Sequence, residues 1–303
     1  MHRWPNFFIA GAPKAGTSSL CAYLQAVPGI YMSKIKEPNY FSRVIVPDAH
    51  PVRPVRDERE YLQLFAEAGD ARIVGEASPT YLADPEAPRL IRNAVPHAKV
   101  LVSLRDPVER AYSHYLMMLN NGTARGTFLD EIKRGLALGG NRSLALLRAD
   151  VGLYSAQVER FRSGFQDSQF KILVFEEFSV DVAGSLQQVL EFLGVEPPSN
   201  ALAGPTYREY SVVRGPLVRY LFGNRTIARA SELLISPSMR KAIRDRFLVK
   251  KAAKPPMPQD AREFLVQYYA DDVQSLARLL GRNLPWRNFQ IASNDLLGDF
   301  RAS

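Results

Sequence analysis

Residues 11–19, Gly-Ala-Pro-Lys-Ala-Gly-Thr-Ser-Ser, form the segment of this chain that is best suited to bind an anion. They follow an apolar, strand-like run at 7–10 and lead into a helical pattern that carries Leu20 and Leu24 on one face. A strand, a glycine-containing loop and a helix N-terminus form an anion cradle. Backbone N–H groups converge there, and the helix dipole adds about half a positive charge. We therefore expect this loop to hold a phosphate group.

The spacing of the loop is that of a nucleotide P-loop, with Gly11 and Gly16 separated by four residues. Thr17 and Ser18 stand where a P-loop normally has Lys-Ser or Lys-Thr, and the lysine lies inside the loop at Lys14. The loop is therefore predicted to bind the phosphate end of a nucleotide, while the displaced lysine argues against the usual Mg²⁺–nucleoside triphosphate chemistry.

Three blocks of this sequence resemble, in order, those of sulfotransferases that use 3′-phosphoadenosine 5′-phosphosulfate (PAPS). Residues 13–20, Pro-Lys-Ala-Gly-Thr-Ser-Ser-Leu, resemble the 5′-phosphosulfate loop of that family. Residues 36–41, Lys-Glu-Pro-Asn-Tyr-Phe, resemble a block of its carbohydrate (heparan-type) branch, and residues 100–113 resemble its 3′-phosphate block. Any one block could arise by chance, but three in the family's order are specific.

The resemblance implies that PAPS is the sulfuryl donor and that the phosphate loop holds its 5′ end. Lys14 would stabilise the leaving phosphate oxygen, because it lies within the cradle; the alternative is a solvated lysine beside hydroxyls that cap a helix. The donor-binding residues that we expect are Lys14, Ala15, Gly16, Thr17, Ser18, Ser19, Arg105, Ser113, Tyr154 and Lys250.

Arg105 and Ser113 are the residues expected at the donor's 3′-phosphate. Arginine offers a planar fork that suits phosphate oxygens, and a serine eight residues later on the following helix can face the same anion. The alternative is a surface pair between Arg105 and Asp106 beside a serine with no ligand. Arg110 is expected to be structural or to face the acceptor.

Two further donor contacts depend on weaker blocks. Tyr154, in Gly-Leu-Tyr at 152–154, matches a family block near the adenine or the 3′-phosphate, with a core tyrosine as the alternative. Lys250 resembles the start of the loop that covers the donor, although the family's Lys-Gly-Arg is Lys-Lys-Ala here.

Glu37 is the expected general base, because the carbohydrate branch carries its catalytic glutamate in this block. A carboxylate can accept the proton of an acceptor hydroxyl if burial raises its pKa; the alternative is a surface pair with Lys36. Of the four histidines, His50 is the competing base, while His114 should project away from the site.

Residues 75–81 resemble a further family segment, but Ala77 replaces a lysine that lies near the sulfate in heparan-modifying enzymes. This departure weakens the prediction of a heparan-like substrate. Ser78 and Tyr81 are expected to line the pocket.

The alternation of apolar runs and helical patterns predicts an α/β fold: a P-loop-like parallel β-sheet flanked by helices. Ligands should lie at the carboxyl ends of its strands. The apolar runs cover 6–10, 29–32, 73–76, 99–104 and 170–175. The helical patterns cover about 16–25, 58–67, 85–93, 107–119, 127–135, 154–165 and 182–193.

The character of the chain changes after residue 197, where proline-rich loops separate helical, arginine-rich segments. We expect one sulfotransferase domain over 1–303, with an α/β core at 1–196 and a mostly helical part at 197–303 that covers the site.

The composition is that of an ordinary soluble protein with a net charge of +8, which suits an anionic ligand. The basic residues are scattered and not interleaved with aromatics, so nucleic-acid binding gets little support. No apolar run is long enough to span a bilayer, there is no signal-peptide pattern, and the single cysteine, Cys21, excludes an internal disulfide. A cytoplasmic protein is therefore expected. No metal-ligand spacing is present, so no metal is expected.

The sequence thus predicts a sulfotransferase that moves sulfate from PAPS to a hydroxyl of a carbohydrate or glycolipid. The alternatives are a P-loop small-molecule kinase and a catalytically silent protein that binds nucleotides or sulfated glycans. Loops at 42–59 and 122–150 are expected to determine acceptor specificity.

Overall fold

The structure, a computed structural model, describes residues 3–43, 53–138, 147–197 and 253–290, and the backbone of 211–213 and 249–251. A parallel five-stranded sheet lies at its centre, in the order β2-β3-β1-β4-β5. Its strands are β1 (Phe7–Gly11), β2 (Ile30–Met32), β3 (Ile73–Ala77), β4 (Lys99–Leu104) and β5 (Phe170–Val174). The predicted fold class is confirmed, and each strand coincides with one of the five apolar runs.

Helices follow the strands and pack on both faces of the sheet. They are α1 (Thr17–Gln25), α2 (Glu58–Gln63), α3 (Ala87–Ala94), α4 (Pro107–Asn120), α5 (Phe128–Ala137), α6 (Ser155–Gly164), α7 (Phe175–Val180), α8 (Val182–Leu193) and α9 (Gln259–Leu280). The seven helical patterns predicted α1 to α6 and α8, and α9 lies in the part expected to be mostly helical, but α7 was missed. Because the parallel ladder ends where Leu104 pairs with Val174, Phe175 leaves the sheet and begins this helix.

The core has two parts, one on each face of the sheet, and the alternating side chains of β1 contribute to both. Phe7 and Ile9 pack with α1 and α8, while Phe8 and Ala10 pack with the helices of the other face. All five residues of β1 are buried, as expected for the central strand of a parallel sheet covered on both sides. The loop that follows β1 therefore starts from a rigid element.

The described C-terminal part consists mainly of α9, which packs on α4, α5 and α6. The Tyr269 hydroxyl donates to the Ala149 carbonyl at 2.7 Å, and the Asp272 carboxylate accepts from the Tyr154 amide at 2.6 Å. Two short antiparallel strands, β6 (Ser211–Val213) and β7 (Val249–Lys251), were not predicted. That this part covers the site, and that the chain is one domain, remain predictions.

The segments predicted to bind the donor, carry the base or line the pocket follow four neighbouring strands of the sheet. The segments at 12–19, 33–41, 78–81 and 105–113 come directly after β1, β2, β3 and β4. Because the carboxyl ends of parallel strands meet at one edge of the sheet, these segments converge there.

Candidate active site

The phosphate loop connects β1 to α1, and its shape depends on glycine at the helix start. Gly16 is the N-cap of α1 and has a φ of 78°. A Cβ atom at this position would lie 2.8 Å from the ring of Phe175, so a larger residue would be both strained and obstructed. The first-turn amides of Thr17 and Ser18 have no intrahelical carbonyl partner by position, which leaves them suited to an anion. The amide of Ala15 instead donates within the loop, to the Ala12 carbonyl at 3.2 Å.

Lys14 lies within this loop in a left-handed backbone conformation, with a φ of 70°. For a residue with a Cβ this conformation costs about 1–2 kcal/mol. Its ammonium group lies 3.6 Å from the Met117 sulfur of α4, and the side chain is partly buried. Backbone strain of this kind concentrates at functional sites, where the surrounding structure maintains it.

Arg105 extends from the end of β4 to the phosphate loop. Its Nη1 donates to the Lys14 carbonyl at 3.0 Å, and its guanidinium lies 4.6 Å from the centre of the Phe175 ring. Nη2 is 3.9 Å from the Glu109 carboxylate, and Nε is buried with no hydrogen-bond partner in the described part of the chain. These contacts fix the orientation of the guanidinium beside the phosphate loop.

The alternative reading of Arg105 as half of a surface pair with Asp106 is not what the structure shows. Asp106 is buried and accepts from the amides of Val108 and Glu109 as the N-cap of α4. It also accepts from the Asn288 side chain at 2.8 Å. The Asp106 carboxylate therefore caps the N-terminus of α4 and is not paired with Arg105.

Two other residues of the 3′-phosphate block lie on α4. Ser113 is half-buried, two turns after Arg105. Arg110 is fully buried and donates to the Arg148 carbonyl at 3.0 Å, which agrees with the expected structural role.

The loop after β2 places Glu37 against the phosphate loop. The Lys36 ammonium contacts the Ser18 hydroxyl on α1 and lies 3.3 Å from the Glu37 carboxylate. The Glu37 side chain is about one-quarter exposed, at 23%. A single lysine therefore bridges the predicted phosphate-binding hydroxyl and the predicted base.

The Glu37 loop has an unusual backbone that β3 holds in place. Glu37 and Asn39 have φ values of 58° and 51°, in the left-handed region. The Glu37 amide donates to the Ala77 carbonyl at 3.2 Å, and the Asn39 side-chain amide donates to the Glu37 carbonyl at 2.7 Å. With Lys14, these are the non-glycine residues of positive φ in the described ranges.

A buried carboxylate beneath this loop was missed by the sequence analysis. Glu76, in β3, is 1% exposed and accepts hydrogen bonds from the hydroxyls of Tyr61, Ser78 and Tyr81. Burial raises the pKa of Glu76 to about 7, although the three hydroxyl hydrogen bonds act to lower it. Ser78 and Tyr81, expected to line the pocket, are fully buried and support Glu76 instead.

Tyr154 and Lys250 are the two remaining residues that were expected to contact the donor. Tyr154 is fully buried against Trp286, with ring centres 5.9 Å apart, and burial raises its pKa. Lys250 lies in β7 opposite Val212, and its side chain is outside the described part of the structure. Their donor contacts remain predictions.

The histidines that could compete with Glu37 are placed only in part. His50 lies outside the described residues, while the Nδ1 atom of His114 is buried on α4. His97 lines a cavity with Arg92 and Lys99 beside the start of β4, at the opposite edge of the sheet from the phosphate loop.

In the described ranges, no group of three or more His, Cys, Asp and Glu residues could hold a metal ion. No helix in the same ranges is both long and apolar enough to cross a bilayer. Burial raises the pKa of the Cys21 thiol to about 11, which agrees with an unreactive residue.

Comparison with known proteins connects this arrangement to one family. A family model described as "Sulfotransferase domain" matches residues 5–209, more than half of the chain. Human carbohydrate sulfotransferase 15 is 29% identical over 249 residues, covering 64% of this chain and 44% of that protein. Mouse bifunctional heparan sulfate N-deacetylase/N-sulfotransferase 4 is 27% identical over 284 residues, covering 92% of this chain and 30% of that protein. The chain thus spans less than half the length of these relatives.

A solved structure is similar over nearly the whole chain. A sulfotransferase from Alicyclobacillus acidocaldarius superposes with a TM-score of 0.71 and 30% sequence identity. The match covers 94% of this chain and 99% of that one.

Proposed function

This chain belongs to the sulfotransferase family, and we propose that it transfers a sulfuryl group from PAPS to a hydroxyl of a carbohydrate or glycolipid. The observation that carries the proposal is the contact of Lys36 with both Ser18 and Glu37. It brings a carboxylate that can accept a proton to the loop that is suited to a phosphate.

The residues at the carboxyl edge of the sheet fit a donor with anionic groups at both ends. The amides of Thr17 and Ser18, with their hydroxyls, are available to the 5′-phosphate at the N-terminus of α1. Arg105, whose side chain is 17% exposed and lies against the phosphate loop, is available to the 3′-phosphate together with Ser113. When bound, PAPS supplies an activated sulfuryl group.

The transfer requires little covalent chemistry from the protein, so positioning and fixed charges provide most of the catalysis. Lys14 neutralises charge on the phosphate oxygen that leaves, and Glu37 takes the proton of the acceptor hydroxyl. Lys36, between the two loops, keeps the Glu37 carboxylate near the phosphate loop. Ala77, where related enzymes have a lysine, adds no charge to this group.

The carbohydrate class of acceptor is supported by the block at 36–41, by the names of the relatives and by the position of Glu37. The loops expected to select the acceptor include residues 44–52 and 139–146, which lie outside the described structure.

The decisive test is transfer of labelled sulfate from PAPS to a panel of glycans, glycolipids and phenols. We expect label on a glycan or glycolipid. Label only on phenols would refute the acceptor class. Binding of adenosine 3′,5′-bisphosphate without transfer to any acceptor would indicate a silent binder, and phosphate transfer from Mg·ATP would indicate a kinase.

A further inference from the structure

Beneath the Glu37 loop lies a buried carboxyl group that the proposed reaction does not use. The Glu76 carboxylate accepts from Ser78 Oγ at 2.6 Å, from Tyr81 Oη at 2.5 Å and from Tyr61 Oη at 3.1 Å. At 1% exposure it has almost no contact with solvent. Desolvation makes a carboxylate buried to this degree costly, and the three hydroxyl hydrogen bonds offset only part of that cost.

Two of the three hydroxyls also hold the backbone of the Glu37 loop. The Asn39 amide donates to Ser78 Oγ at 3.0 Å, and the Phe41 amide donates to Tyr81 Oη at 3.3 Å. A backbone N–H can only donate, so each hydroxyl oxygen must accept from the loop and direct its own proton elsewhere. In both cases that proton points to Glu76.

We propose that Glu76 is a positioning residue, which fixes the loop at 37–41 by orienting the hydroxyls of Ser78 and Tyr81. This inference rests on the proposed function, in which the loop carries the base Glu37. Glu76 acts through two hydroxyls and does not touch substrate.

The loop needs such support because its backbone is strained. Glu37 and Asn39 both have left-handed φ values, and for glutamate this conformation is unfavourable. The loop retains it only if the surrounding structure over-determines it. The amides of Asn39 and Phe41, on the two sides of Tyr40, each donate to a hydroxyl. Both hydroxyls in turn donate to the Glu76 carboxylate, and these hydrogen bonds provide the constraint.

Glutamine at position 76 would keep the shape of the side chain but reverse one hydrogen bond. Its NH₂ group would donate to a hydroxyl that already accepts from the loop, leaving that hydroxyl's proton without an acceptor. The hydroxyl would no longer be held in orientation by a carboxylate, so one of the two connections from the loop to residue 76 would be weakened at that end, at a cost typical of a buried unsatisfied group.

The chain offers a matched control for this test. Tyr61 donates to the same carboxylate oxygen as Tyr81, but no loop amide is seen to donate to its hydroxyl. Tyr61→Phe therefore removes a hydrogen bond to Glu76 without removing a connection to the loop.

The experiment compares Glu76→Gln, Tyr81→Phe and Tyr61→Phe in the full chain at about pH 8. We expect Glu76→Gln and Tyr81→Phe to lower kcat by about 10-fold, the effect of one lost buried hydrogen bond of about 1.4 kcal/mol. The Kd for adenosine 3′,5′-bisphosphate should stay within about 2-fold, and Tyr61→Phe should keep kcat within about 3-fold. Equal kcat losses in Tyr61→Phe and Tyr81→Phe would show that Glu76 is only a structural group.

A second readout does not depend on the reaction. Amide hydrogen exchange at Asn39 and Phe41, measured residue by residue, should speed up in Glu76→Gln and stay unchanged in Tyr61→Phe. If exchange changes as expected but Glu37→Gln retains full turnover, then the base assignment is wrong and the positioning role stands. Unchanged exchange in Glu76→Gln overturns the positioning role itself.

If Glu76→Gln fails to fold, substitutions of Ser78, whose hydroxyl lies between the Asn39 amide and Glu76, test the same connection. Ser78→Thr retains the hydroxyl and Ser78→Ala removes it. We expect slow turnover and fast Asn39 exchange in Ser78→Ala, with both restored in Ser78→Thr. Identical behaviour of the two variants would overturn the proposal.

Discussion

The Arg105 guanidinium donates from Nη1 to the main-chain carbonyl of Lys14 at 3.0 Å. The residue predicted to bind the 3′-phosphate is thus tied to the loop predicted to hold the 5′-phosphate. The guanidinium also lies 4.6 Å from the centre of the Phe175 ring, so its position relative to the loop is fixed from two sides. The two phosphate sites should therefore be coupled in binding.

Arg105→Ala should weaken the binding of adenosine 3′,5′-bisphosphate by about 2–3 kcal/mol, the usual loss when a charged hydrogen-bonding partner is removed. Titration calorimetry measures this directly. Arg105→Lys keeps the charge but loses the planar fork, so it should recover only part of the affinity. Wild-type affinity in Arg105→Ala would exclude the 3′-phosphate role.

Adenosine 3′,5′-bisphosphate should raise the thermal midpoint of unfolding without added metal, because a ligand that binds only the folded state stabilises it. ATP with Mg²⁺ should raise it far less, because Lys14 lies inside the loop and not directly after Gly16, where P-loop proteins that bind nucleoside triphosphates have their lysine. A larger shift with Mg·ATP would contradict the donor assignment. The Arg105→Ala protein is the control, and its midpoint should respond weakly to both ligands.

Lys14→Ala should lower kcat by about 10²–10³-fold at saturating donor, as for the loss of a preorganised group that stabilises developing charge. Donor affinity should change much less, because the first-turn amides of α1 remain. Single-turnover kinetics with bound PAPS separate the two effects. Undiminished turnover would make Lys14 an ordinary loop residue.

Glu37→Gln should lower kcat by about 10²–10⁴-fold, the range for a positioned general base, with normal donor affinity. His50→Ala and His114→Ala should each change kcat by less than about 10-fold on the same principle. An active Glu37→Gln protein beside an inactive histidine variant would assign the base to histidine. It would also move the expected acceptor from a sugar to a phenol or alcohol of low molecular mass.

The stability of the protein should depend on pH through Glu76. Its pKa is about 7 in the folded protein against an ordinary value of 4.5, so the folded state holds the proton more tightly. The stability that follows is present below about pH 4.5 and is lost as pH rises through 7. Whatever the variant costs at pH 4.5, the difference in unfolding free energy between Glu76→Gln and wild type should shift by up to about 3 kcal/mol in favour of the variant between pH 4.5 and 7.5. Urea unfolding of both proteins at a series of pH values tests this. Plots of unfolding free energy against pH that run parallel for wild type and Glu76→Gln would contradict it.

The sheet and the phosphate loop could be predicted from the sequence because their signals are local. Buried parallel strands read as short apolar runs, and a strand followed by a glycine loop and a helix identifies an anion site. The strands β6 (Ser-Val-Val) and β7 (Val-Lys-Lys) were missed because neither is a continuous apolar run, unlike the equally short β2 (Ile-Tyr-Met).

The support beneath the site could not be predicted, because it depends on contacts between segments that are far apart in sequence. Glu76 lies among apolar residues of β3, and one of its partners, Tyr61, comes from a different element. The available signal was a lone carboxylate in an otherwise apolar strand, with a serine two residues later and a tyrosine five residues later. The left-handed backbone of Glu37 is likewise set by its surroundings and not by its own preference.

The strained backbone of the phosphate loop has a consequence for protein engineering. Lys14→Gly should be more stable than Lys14→Ala by about 1 kcal/mol, because glycine adopts a φ of 70° without steric cost. Both variants lack the ammonium group. A library screened only for heat resistance would therefore enrich glycine at this position and select an inactive protein, so thermostabilisation of this chain needs an activity filter from the first round.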